Sequence, residues 1–93
     1  MSQPAAQDED LLECLGRRGG RETVVVLRDG RRLTVYDIAW GYDMGDSRAH
    51  VTTNVSPGVE GVSVDFFSTS EVAFVIDPSS NQVIYGTNAS PLT

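Results

Sequence analysis

Between Asp8 and Arg18 the apolar residues Leu11, Leu12 and Leu15 are spaced as one stripe of a 3.6-residue helix. Asp8 offers a side-chain oxygen to cap the first turn, acidic residues follow it, and Arg17 and Arg18 sit at the other end with Gly16 and Gly19-Gly20 to stop the helix. Residues 1–7 lack any periodicity and read as a frayed, disordered N-terminus. A helix this short is marginal alone in water, so its leucines require a sheet to lie against.

From Glu22 onward the period changes from helical to alternating, in text rich in Val, Thr, Tyr, Phe and Ile and broken by Gly, Pro, Asn and Asp. Six strands are predicted, at residues 22–27, 31–40, 49–55, 62–67, 72–77 and 82–85. In "RDGR", Gly30 supplies the positive φ of a type I turn with a G1 bulge, which makes the first two strands a hairpin. In "DPSSNQ", Pro78 sets the first corner and Asn81 tolerates the left-handed conformation, which makes the last two strands another.

The long strand 31–40 changes phase. Its apolar residues begin as Leu33 and Val35 and continue in the opposite register as Tyr36, Ile38 and Trp40. A period of two cannot switch faces without a bend or an inserted residue, so this ribbon is expected to turn a corner and serve both sides of a rolled sheet. The expected fold is mostly β: a small, bent, five- to six-stranded antiparallel barrel with a short N-terminal helix, over residues 8–86, followed by a flexible tail at 87–93.

Length sets the scale of that core. A chain of 93 residues forms one domain and buries roughly 60–65% of the surface its unfolded form exposes. The lone cysteine, Cys14, allows no intrachain disulfide, the first ten residues resemble no secretion signal, and no apolar run approaches the ~20 residues of a membrane-spanning helix. A cytoplasmic protein is expected, in which the sequons at Asn54 and Asn88 are chance matches. The net charge of −6 conceals a division: residues 17–32 hold six of the seven arginines and sum to +4, leaving −10 for the rest. Arg28, Arg31 and Arg32, crowded around the first hairpin turn, are the candidate anion contacts.

A short helix followed by bent strands with "L-x-D-G-R-x-L" at the first turn resembles the Sm-like family, a variant of the SH3-like barrel. The matching text is "VVVLRDGRRLTVYDIAWGYDMGD" for the family's first motif and "VDFFSTSEVAFVID" for its second. The resemblance implies a homo-oligomeric ring in which strand 62–67 of one copy pairs with strand 72–77 of the next. Val62, Val64, Phe66, Val72, Phe74 and Ile76 are then the candidate oligomer interface. It also implies RNA contacts from the third loop, for which Tyr42, Asp43 and Arg48 are the candidates in this chain. Thr69, Ser70 and Glu71 replace the Arg-Gly of the family's second motif, and the acidic residues in both loops repel phosphate, so any RNA binding is expected to be weak.

Catalytic chemistry finds little footing. His50 is the single histidine, and neither a nucleophile elbow nor a Ser-x-x-Lys pair is present. Asp43 and Asp46 alone fall short of the oxygen ligands of a calcium loop, so neither a metal centre nor a cofactor is expected. Cys14 reads as a packing residue. The expected function is a non-enzymatic oligomeric interaction module; the alternative is a protein-binding module or accessory subunit that never touches RNA. No small-molecule substrate is evident.

Overall fold

The leucine stripe lies where its spacing requires. In the computed structural model, which describes residues 6–55 and 60–86, α1 (Ala6–Arg17) buries Leu11, Leu12 and Leu15 in a single core with Val25, Leu33, Val35, Val51, Phe67 and Val75. The helix starts two residues before Asp8, so Asp8 is not its cap; the carboxylate is drawn inside the molecule instead.

Among the described residues, seven strands form two antiparallel sheets. The first has the order β2 (Arg32–Val35), β1 (Thr23–Leu27), β6 (Val72–Asp77), β7 (Gln82–Gly86), and the second β3 (Ile38–Gly41), β4 (His50–Thr53), β5 (Phe66–Ser68). Both anticipated hairpins form. Gly30 has φ of 95° and the Leu27 amide reaches the Arg31 carbonyl at 2.8 Å, while Asn81 turns the β6–β7 corner at φ of 60°.

The ribbon expected at 31–40 breaks at Tyr36-Asp37 into β2 and β3, and its two halves join different sheets. Asn54 occupies the break. It is buried in the left-handed conformation (φ 57°), accepts the Tyr36 N–H at 2.7 Å, and donates its amide to the carbonyls of Thr34 at 3.0 Å and Ser63 at 2.6 Å. Backbone groups that lose their ladder at a bend must find partners, and one side chain supplies three of them here.

The same residue explains a correction. The strand expected at 62–67 is reduced to Phe66–Ser68, because the left-handed turn at Asn54 ends β4 at Thr53: the Asp65 carbonyl still accepts the Thr53 amide at 2.8 Å, and residues 62–64 lie beyond the end of β4. A further departure lies in β6. An extra residue, Ala73, stands between the pairs Leu27–Val72 and Val26–Phe74, and this bulge allows both Val72 and Val75 to enter the core. Among the described residues, no helix is long and apolar enough to cross a membrane.

Candidate functional site

Asp8 organises one end of the molecule. Its side chain is 0% exposed, and four donors converge on it: Tyr42 Oη (2.5 Å) and the Ala49 amide (2.9 Å) on Oδ2, Thr69 Oγ1 (2.5 Å) and Arg48 Nε (2.7 Å) on Oδ1. Burial pushes the carboxyl upward. The hydrogen bonds from Thr69, Tyr42, Arg48 and the Ala49 amide outweigh it and hold the pKa down to about 2. The carboxylate thus ties α1 to the β3–β4 loop and to the one-turn link between β5 and β6.

Two of the three loop residues singled out for RNA, Tyr42 and Arg48, therefore face inward, with a hydroxyl and a guanidinium engaged by Asp8. Asp43 faces outward, where its side chain meets His50. The turn 43–46 closes through the Asp46 amide to the Asp43 carbonyl (3.0 Å), with Gly45 at φ of 88°, and the Asp43 amide donates to Asp46 Oδ2 at 3.0 Å. This curl brings both carboxylates to one imidazole: His50 Nε2 lies 3.7 Å from Asp43 Oδ2 and Nδ1 lies 3.4 Å from Asp46 Oδ2. The His50 ring also leans on Phe66, with centroids 5.2 Å apart.

His50 and Phe66 belong to the outer face of the second sheet. Register places Ala39, Gly41, His50, Thr52, Phe66 and Ser68 on that face, opposite the core residues Val51 and Phe67. A shallow depression of about 250 Å³ runs over Ala39, Trp40, Gly41, His50 and Thr52. Phe66, against His50, is 65% exposed and Val64, two residues before it, 63%, while Phe67, one residue on, is 1% exposed. β5 is an edge strand, as is β7 in the first sheet.

The other interface candidates are distributed differently. Val72 and Ile76 are buried, and Val62 and Phe74 are half-buried. Both sides of β6 are occupied, by β1 and β7, so the free edge that the Sm-type pairing requires of strand 72–77 is filled by β7 of the same chain.

The arginine cluster is one group along the sequence and two in space. Arg18 and Arg21 lie beside the β6–β7 turn with Asp77, and Arg18 is bound to Asp77 (3.3 Å), Thr23 Oγ1 and the Glu22 carbonyl. At the other end of β1, Arg28 donates to the Ser70 carbonyl at 2.9 Å and Arg31 pairs with Asp29 at 3.0 Å. Arg32 borders a depression that Asp65 also lines. The intervening strand holds the two groups about 15 Å apart. Hydrogen bonds from the Arg31 amide and side chain hold the Asp29 carboxyl below the usual range. Cys14 packs half-buried against the core, and burial pushes its thiol pKa up, as suits a packing role.

His50 as a companion of Asp43 and Asp46 is the feature that spacing alone concealed. The Asp46 and His50 interval of four suggests a helical pair, whereas the contact arises because a turn and the start of β4 fold the three residues together. No protein-family model matches the chain, and neither curated proteins nor solved structures provide a match.

Proposed function

We propose that this chain is a non-enzymatic interaction module of the Sm-like, SH3-like barrel kind that works as a homo-oligomer. The connectivity supports the barrel: one ribbon bends from the first sheet into the second, β1 lies between β2 and β6, and a single 3₁₀ turn at Thr69–Glu71 links β5 back to β6. The observation that carries the assembly is the exposure of Phe66 and Val64 on and beside the edge strand β5. An exposed edge bearing large apolar side chains invites another strand.

The acceptor differs from the family pattern. Since β7 covers β6, the complementary edge on the next copy is β7, where Ile84 is exposed. A β5-to-β7 contact joins unlike edges head to tail, the arrangement that generates rings when the rotation closes. The engagement of Tyr42 and Arg48 by Asp8 and the separation of the arginines favour protein over RNA as the partner.

Light scattering coupled to size exclusion tests the reading. The expected result is a mass well above that of one chain at high concentration, with Phe66→Lys shifting the population to a monomer that keeps the far-ultraviolet circular dichroism of the parent. A strictly monomeric parent protein at its highest soluble concentration overturns it.

A further inference from the structure

We propose that Asp43, Asp46 and His50 form a binding site for a divalent transition-metal ion of the zinc type. The donor atoms of the three side chains lie within 4.8 Å of one another. Asp46 Oδ2 lies 3.4 Å from His50 Nδ1 and Asp43 Oδ2 lies 3.7 Å from Nε2, the opposite ring nitrogen, so an ion held by one nitrogen meets one carboxylate at about the 3.3–3.6 Å ligand spacing of a tetrahedral site, and the second carboxylate, on the same exposed loop, swings in to reach it. One ring nitrogen and one oxygen from each aspartate make three protein ligands, and water from the open face completes the coordination. Mixed nitrogen and oxygen donors select zinc and its neighbours over calcium, which takes six to eight oxygens, and over magnesium, which favours oxygen ligands and its own water.

The site is built rather than incidental. Each donor is next to, or two residues from, a residue bound to the buried Asp8: Asp43 follows Tyr42, His50 follows Ala49, and Asp46 precedes Arg48 by two. Three of the four hydrogen bonds to Asp8 thus hold the frame of the loop from beneath, while the curl at Gly45 holds it from above. The same geometry turns Arg48 away, so that among the described residues His50 is the sole basic partner of either carboxylate. Two aspartates gathered around one imidazole with no guanidinium between them leave negative charge for a cation to neutralise.

Calorimetric titration of the full chain with zinc chloride near neutral pH tests the assignment, with the His50 ring resonances followed in parallel. One saturable site per chain is expected, together with movement of the His50 resonances and weakening by more than about tenfold in His50→Gln and in Asp46→Asn. Cys14→Ser is expected to bind as the parent does, which separates this site from adventitious thiolate binding. Absence of saturation, unmoved His50 resonances, undiminished binding in a folded His50→Gln variant, or equal binding of magnesium overturns the proposal. If His50→Gln fails to fold, the resonances of the parent protein decide alone. Because titration reads each chain separately, its outcome is independent of whether the protein assembles.

Discussion

At Asp8 a charge is buried completely and remains a charge. Desolvation of a carboxylate is expensive, and the four donors around it together outweigh that penalty. With the folded pKa depressed to about 2 from 3.8, the carboxylate contributes about 2 kcal/mol of stability that is fully present above the unfolded value and lost as pH falls through the folded one. Chemical denaturation between about pH 5 and pH 2 is expected to show this loss. Asp8→Asn is expected to lower stability by about 3 kcal/mol at neutral pH, because Arg48 is left without its counter-ion, and to flatten the acid limb of the profile.

Among the elements, the bend between β2 and β3 depends on Asn54. Alanine there deletes three side-chain hydrogen bonds and places a residue without a local partner in the left-handed region, so Asn54→Ala is expected to cost about 3 kcal/mol in a urea melt. β5 makes a sharper contrast within two adjacent residues. Phe67 fills the core and Phe66 faces out, so Phe67→Ala is expected to cost about 3–5 kcal/mol while Phe66→Ala costs less than about 1. Equal losses in thermal unfolding would mean that the two faces of β5 are misassigned. Phe66 is thus available for association in a way that Phe67 is not.

For the molecule as a whole, charge is segregated without forming a groove. The arginines of residues 17–32 form two patches at opposite ends of β1, with Arg18 already paired with Asp77 and Arg31 with Asp29, in a molecule of net charge −6. Affinity for nucleic acid rises with the number of phosphates that free cations neutralise together, and that number is small here. Fluorescence anisotropy of labelled oligo-U is therefore expected to stay flat at low salt up to tens of micromolar protein, a rough scale for weak non-specific binding. A salt-sensitive rise would restore RNA as a partner.

The short-range features were readable from the chain alone. The Leu11, Leu12 and Leu15 stripe, the turns at Gly30 and Asn81, and the change of phase after Val35 each depend on residues a few positions apart, where periodicity and backbone preference act directly. Tertiary structure decided the rest. Asp8 meets donors 34 to 61 residues away, β7 fills the edge of β6 that Sm-type pairing would use, the Ala73 bulge turns Val72 inward, and a loop curl delivers His50 to Asp43 and Asp46. These outcomes depend on which strand lies beside which, and on how a closed core compels buried polar groups to find partners. Local propensity carries no information about either.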